Sequence, residues 1–104
     1  CLLSEAQSCD EILNWVKNRS EGSTYTSISS DAISSVTFHE VENDNQTSYF
    51  AIVCFKNQNN RSKEYIYQVS STTETKYSMY YSASAGKAFW NYIRPHRDSL
   101  GCSP

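Results

Sequence analysis

Long apolar runs and histidines are what this sequence most clearly lacks. No apolar stretch approaches the roughly 20 residues that a membrane-spanning helix needs, so we expect no segment that crosses a bilayer. The two histidines, His39 and His96, are far apart and show no catalytic or metal-binding spacing. The sequence also contains no nucleophile elbow, zinc-protease, phosphate-loop or dinucleotide-binding motif. These absences predict a protein that is not an enzyme and that holds no metal or other cofactor.

An excess of positive charge is also missing. The chain has nine basic and eleven acidic residues and a net charge of -2, whereas domains that bind nucleic acid are usually basic. Nucleic-acid binding is therefore an alternative rather than the first hypothesis, and it would use two small groups of cations. These groups are Arg61 with Lys63, and Lys87 with Arg94.

The composition is that of a folded chain. The 104 residues are 38% hydrophobic and 13% aromatic, with eight tyrosines, whereas disordered chains are poor in aromatic residues. This length corresponds to one domain. We expect residues 1–104 to form it, with an added N-terminal helix within 1–22, a core over 27–95 and a tail over 96–104.

The cysteines indicate the compartment. Cys1, Cys9, Cys54 and Cys102 form no Cys-x-x-Cys pair, and an even number of cysteines in a short chain predicts disulfides, here with three possible connectivities. Because disulfides persist in oxidising compartments, we expect an exported protein that is periplasmic, anchored in an envelope, or secreted. Bacterial lipoprotein processing also leaves a chain that opens with cysteine, so a lipid on Cys1 is the one membrane attachment we expect. The alternative for Cys1 is a disulfide.

The spacing of apolar residues predicts helices at both ends of an α+β fold. Residues 4–19 repeat apolar side chains every three or four positions, as an amphipathic helix does. Residues 74–94 have a similar spacing, but Ser84 and Gly86 interrupt it, which predicts two consecutive helices or a kink. Between the helices, the sequence predicts a Ser/Thr-rich linker running into an edge strand over 22–35, and strands at 33–41, 49–55 and 64–69.

The strand at 49–55 is apolar at odd and even positions alike. Successive side chains of a strand point to opposite faces, so this strand needs apolar cover on both sides. It is therefore predicted to be a central strand between two layers.

Four short features of the sequence resemble the KTSC domain, a small module named after the lysyl-tRNA synthetase C-terminus. In chain order they are Ser29–Val36, Val53–Phe55, Tyr65–Tyr67 with Val69, and Ser84–Phe89 with Ile93 and Arg94. The first is similar to the opening strand of the family, the third to its central Tyr-x-Tyr, and the last to its Ser-x-Gly-Lys-x-Phe…Ile-Arg helix. The resemblance covers about residues 27–95, and the chain lacks the proline that usually follows the Tyr-x-Tyr strand in the family.

The resemblance implies a three-stranded antiparallel sheet followed by a helical segment. RNA binding has been suggested for the family through its association with the synthetase, and no activity is established for it. This chain adds an N-terminal helix and cysteines that indicate export. Export disfavours a role in binding nucleic acid.

Together these patterns predict a three- or four-stranded antiparallel sheet with the N-terminal helix on one face and C-terminal helices on the other. The side chains expected under the C-terminal helices are Ala51, Val53, Phe55, Tyr65, Tyr67 and Val69. Those expected on the opposite face are Phe50, Ile52, Cys54 and Ile66. The helix stripe that contains Cys9 would cover this second face, which predicts a Cys9–Cys54 disulfide and leaves Cys1 for Cys102 or for lipid.

Aromatic residues near the C-terminus exceed what one small core can hide. Tyr80, Trp90 and Tyr92 are the candidates for a partner-binding surface, since Tyr and Trp carry much of the energy at interfaces. Arg61, Lys63, Lys87 and Arg94 are the charged candidates. Tyr65 and Tyr67, two positions apart on one strand, would stack bases in a nucleic-acid binder, but we expect them to pack in the core.

The sequence thus favours a non-enzymatic, exported domain that binds another protein, for instance a periplasmic inhibitor or immunity-type lipoprotein. One alternative is a nucleic-acid-binding module of the KTSC type. The other is a structural component of an envelope or a virion, which would self-assemble.

Overall fold

The protein folds as one antiparallel sheet between two helical layers, and the computed structural model describes residues 7–27, 30, 32–56 and 63–102 of it. Its elements, in chain order, are α1 (Gln7–Arg19), β1 (Ser23–Thr26), β2 (Ile33–Asn43), β3 (Gln46–Phe55), β4 (Lys63–Val69), α2 (Thr73–Tyr80), α3 (Ala85–Tyr92) and a 3₁₀ turn (Arg94–His96). The strands lie side by side in sequence order, each antiparallel to the next. This arrangement confirms the predicted α+β fold, with four strands where the KTSC resemblance implied three.

A two-residue turn joins β2 to β3. Asn43 pairs with Gln46, and the two residues between them, Asp44 and Asn45, have φ angles of 51° and 66°. Hairpin turns of type I′ need positive φ at both central positions, and Asp and Asn tolerate that region better than other residues with a side chain. Both strands therefore continue up to this turn, and each is longer than the sequence pattern predicted.

One face of the sheet lies under α2 and α3 and holds the larger core. Ala51 and Val53 of β3 are fully buried there, beside Tyr67 of β4. The other buried members of this core are Ile33, Val36, Phe38, Val69, Tyr77, Ala85, Ala88, Phe89 and Ile93. The predicted assignment of alternate residues to this face is confirmed.

The opposite face is covered by α1, which begins at the first described residue, Gln7. Leu13 and Val16 are buried there against Phe50 and Ile52 of β3. The other buried members of this core are Cys9, Val41, Ile66 and Cys102. The prediction that an amphipathic N-terminal helix covers this face is confirmed, and the part of it that falls on residues 4–6 lies outside the described residues.

A disulfide joins α1 to the C-terminal tail, and it corrects the predicted pairing. Cys9 is bonded to Cys102 across a sequence separation of 93, so neither the expected Cys9–Cys54 bridge nor a Cys1–Cys102 bridge exists. Cys54 is also disulfide-bonded, and Cys1 lies outside the described residues. The tail runs back beside β4, where the Gln68 N–H donates to Ser99 Oγ at 3.0 Å. This path buries Cys102 in the α1-face core, where it meets Cys9.

Replacing both Cys9 and Cys102 with alanine is expected to lower the free energy of unfolding by about 2–5 kcal/mol, the usual cost of losing a native disulfide from a small domain. Urea unfolding followed by the fluorescence of the two tryptophans, Trp15 and Trp90, measures this loss. The double variant is preferable to a reductant because it leaves the Cys54 disulfide intact. An unchanged unfolding midpoint would contradict the structural role given to this bond.

Two hydroxyl groups buried on the α2–α3 side of the fold lie near each other. Tyr77 is fully buried, and among the described residues neither its Oη nor the Oγ of Ser27 makes a hydrogen bond of ordinary geometry. Burial raises the pKa of Tyr77 to about 12, and the nearby Ser27 hydroxyl offsets this rise only in part. The ring of Tyr77, by contrast, is well packed, stacking on Tyr81 with centroids 5.5 Å apart.

The Tyr77→Phe variant is therefore expected to be as stable as the wild type or more stable by about 1 kcal/mol, because it removes a buried polar group that has no partner. Urea unfolding at neutral pH tests this expectation. A loss of stability would mean that the hydroxyl is hydrogen-bonded in solution.

Candidate functional site

The exposed large apolar side chains lie on the C-terminal helices. Among the described residues, the large apolar side chains classed as exposed are Met79, Tyr80 and Trp90, which expose 64%, 49% and 59% of their surface. Tyr80 and Trp90 were predicted as partner-binding residues, whereas Met79 was not. Single exposed apolar side chains are ordinary in soluble proteins, but all three of these fall on α2 and α3.

Local sequence fixes the arrangement of these two helices. The Oγ of Ser84 accepts the N–H of Lys87 at 3.2 Å and caps α3, as a serine at a helix start does. This cap lets α2 end at Tyr80 and α3 begin at Ala85, which confirms the predicted interruption. Tyr80 then stacks on Tyr92, with ring centroids 5.6 Å apart and an interplanar angle of 25°, so the two helices meet through their aromatic rings.

A groove runs between the two helices beside this stacked pair. Its volume is about 300 Å³. Its lining residues are Tyr80, Ala83, Ser84, Lys87, Ala88, Asn91 and Tyr92. The groove is therefore lined mainly by aromatic residues and by residues with small side chains, and Lys87 is its one cation.

Arg94, the first residue of the 3₁₀ turn, extends this region beyond the end of α3. Its guanidinium carbon lies 4.1 Å from the centroid of the Trp90 ring, which is the geometry of a cation–π interaction. Lys87 and Trp90 are three residues apart on α3 and so share a side of the helix. Tyr80, Lys87, Trp90, Tyr92 and Arg94 together are called the helical surface below.

The cations of the helical surface have no acidic partner among the residues that the structure describes. Neither Lys87 nor Arg94 forms an ion pair within the part of the chain that the structure describes. The segment 73–98 holds four basic and two acidic residues, whereas the rest of the chain holds five and nine. Of those two acids, Glu74 accepts a hydrogen bond from Tyr25 and Asp98 lies beside Arg97. Positive charge is thus concentrated on the helical layer of an acidic protein.

The structure describes only part of the second predicted cation group. Arg61 lies outside the described residues. Lys63 is the first residue of β4, where its backbone pairs with Phe55, and the position of its side chain is not described. The structure therefore does not join this group to Lys87 and Arg94.

The two tyrosines of β4 belong to the core rather than to a base-stacking platform. Tyr67 is 1% exposed and lies within the core under α2 and α3. Tyr65 is half-buried and packs edge-on against Phe55. The expectation that these residues pack internally is confirmed.

A larger cavity, of about 560 Å³, lies at the start of α3. Its described lining consists of Thr26, Ser27, Ser30, Ala32, Tyr81, Ser82, Ala83, Ser84, Ala85 and Gly86. None of these side chains is charged, and none is among the exposed large apolar residues. The helical surface is therefore the better candidate for recognition, although its groove is smaller.

The histidine on β2 has a structural position. His39 is 7% exposed, with Nδ1 3.0 Å from the carbonyl oxygen of Ser20. Gly22 packs on it so closely that a Cβ at that position would lie 2.8 Å from the imidazole. Burial lowers the pKa of His39, assisted by the charge of Lys17 and opposed by the hydrogen bond to Ser20. In the described part of the chain, no group of three or more His, Cys, Asp or Glu side chains is placed to hold a metal ion.

This burial predicts a pH-dependent stability. The unfolded chain binds a proton at the ordinary histidine pKa near 6.5, whereas folded His39 does so only at a lower pH. The free energy of unfolding should therefore be highest above about pH 6.5 and fall as the pH drops below that value. The His39→Gln variant should lack this fall. Urea unfolding of both proteins across the range compares them, and identical pH profiles would contradict the assignment.

None of the helices in the described part of the chain is both long and apolar enough to cross a membrane. Comparison with protein-family models, with curated proteins and with solved structures found no match to this chain. The resemblance to the KTSC domain therefore stays a prediction.

Proposed function

We propose that the protein is a non-enzymatic, exported domain that works by binding another protein through the helical surface. One observation carries this proposal: the exposed large apolar side chains of the described residues all lie on α2 and α3. Tyrosine, tryptophan and arginine are enriched among the residues that dominate binding energy, and the helical surface combines all three. Within this class, an inhibitor or immunity-type protein facing the periplasm is the specific role that we favour.

Disulfide bonding supports the exported part of the proposal. Cys9 and Cys102 are bonded to each other, and Cys54 is bonded as well. Such bonds persist in oxidising compartments and are rare in reducing ones. A small domain that relies on a disulfide to attach one of its two helical layers is suited to that environment.

A nucleic-acid-binding module is the second candidate, and one observation favours it. Lys87 and Arg94 lie beside exposed aromatic side chains, a combination that proteins use to bind single strands. Tyr67, however, is buried and cannot stack on a base, and the net charge is -2. Protein binding is therefore preferred.

Site-specific photo-crosslinking in the native source tests the proposal. A photoreactive phenylalanine analogue at Trp90 should capture one protein in stoichiometric yield. The same analogue at Asn14, which is exposed on α1, should not capture that protein. If a protein is captured equally from both positions, or if nothing is captured from either, the assignment of the helical surface as the binding site is wrong.

The Tyr80→Ala, Trp90→Ala double variant should bind the captured protein at least about 30-fold more weakly, since a central aromatic residue typically contributes about 2 kcal/mol or more. Both side chains are exposed, but Tyr80→Ala also removes the stack on Tyr92, so the free energy of unfolding should fall by about 1 kcal/mol. Calorimetric titration measures the affinity, and thermal unfolding provides the control for folding. Unchanged affinity would contradict the role of the two rings. Light scattering of the free protein distinguishes a self-assembling structural component, the third candidate.

A further inference from the structure

The charges around the groove indicate what kind of protein it accepts. Lys87 lines the groove, and Arg94 lies against Trp90 three residues beyond Asn91, another lining residue. Neither cation is paired with a carboxylate in the described residues. We infer that the partner presents an acidic segment, with carboxylates that contact Lys87 and Arg94 and an apolar or aromatic side chain between them that enters the groove. This inference rests on the proposed function and adds the chemistry of the partner.

The position of Arg94 suits it to bind a carboxylate. Its guanidinium carbon lies over the Trp90 ring, and this cation–π contact reduces the side-chain freedom that is left to lose when a ligand binds. A guanidinium group can donate two parallel hydrogen bonds to one carboxylate. Lys87 is exposed and adds a second, more mobile positive charge at the groove. Complementary charge of this kind raises the association rate and selects among partners.

Three features favour an acidic protein segment over a nucleic acid. The nucleic-acid binders that depend most on phosphate contacts use about six to ten of them, whereas this surface offers two cations. Tyr80 and Tyr92 stack on each other, so each ring has one face already occupied. Outside segment 73–98 the chain has nine acidic and five basic residues, and this excess would repel a long polyanion. A short acidic segment would contact only the helical layer, where basic residues predominate, and would avoid this repulsion.

Defined peptides test the inference directly. The probes are a blocked pentapeptide with glutamates on both sides of a central tyrosine and its counterpart with glutamine in place of each glutamate. Amide chemical shifts of the isotope-labelled full chain report where each probe binds. The acidic peptide should shift signals from Lys87 to Arg94 and bind about tenfold more tightly than the neutral one, with weaker binding as salt is added.

Charge reversal provides matched variants. The Lys87→Glu, Arg94→Glu double variant should bind the acidic peptide at least about tenfold more weakly. Arg19→Glu is the control, because Arg19 also lies over a tryptophan, Trp15, with its guanidinium carbon 4.8 Å from the ring centroid. That pair is on α1, on the other face of the sheet, so the control variant should bind as the wild type does.

Four outcomes would overturn the inference: equal binding of the two peptides, no shifts on α3 with either peptide, tighter binding of oligothymidylate at this surface, or self-association of the free chain through it. Photo-crosslinking from Trp90 separates the inference from the proposed function. If the Lys87→Glu, Arg94→Glu variant still captures its partner in full yield, the proposal of protein binding is retained and the inference of an acidic partner is wrong. If the chain that carries the photoreactive residue at position 90 and no charge reversal captures nothing, the proposed function itself fails.

Discussion

The structure depends on a central strand that is apolar on both faces. Phe50 and Ile52 of β3 are buried under α1, and Ala51 and Val53 are buried under α2 and α3. Because an apolar side chain gains about 1.5–3 kcal/mol when it is fully removed from water, neither face can be left bare in a domain of this size. A sheet of this sequence is therefore stable only as the middle layer of three.

The two outer layers are attached in different ways. The layer of α2 and α3 follows β4 after a short turn, and its aromatic side chains interlock with those of the sheet. Phe89, for example, contacts both Phe55 and Tyr67 edge-on. The α1 layer packs beside the C-terminal tail, which is nearly the whole chain away in sequence. The Cys9–Cys102 disulfide joins the two segments. An ion pair between Lys17 and Glu64, at 2.8 Å, adds a link from α1 to β4. The disulfide and the ion pair thus stabilise the attachment of α1 to the sheet.

Periodicity made the layers predictable, and the absence of a pattern in the tail made the disulfide unpredictable. Alternation along 49–55 assigned each side chain to its face, because the period of a strand leaves no other choice once one face is known. Nothing in residues 97–102 signals that this segment returns along β4 and buries Cys102, so Cys54 seemed the nearer partner for Cys9. At the candidate site, the surplus of aromatic residues pointed to Tyr80 and Trp90. The exposure of Met79 could not be predicted, since it depends on the angle at which α2 meets α3.

The two helical layers carry the same tryptophan–arginine pair, but only the pair on the α2–α3 side has an exposed indole ring. Each helical layer has a tryptophan followed four residues later by an arginine over its ring: Trp15 with Arg19, and Trp90 with Arg94. Trp15 packs against the α1-face core, and the segment 7–22 around its arginine holds three acidic and two basic residues. Trp90 is 59% exposed and lies in the segment where basic residues predominate. The tryptophan of this motif therefore packs against the core on one face of the sheet and is exposed to solvent on the other. The indole of Trp90 is therefore accessible in the folded chain, as the proposed protein-binding role requires.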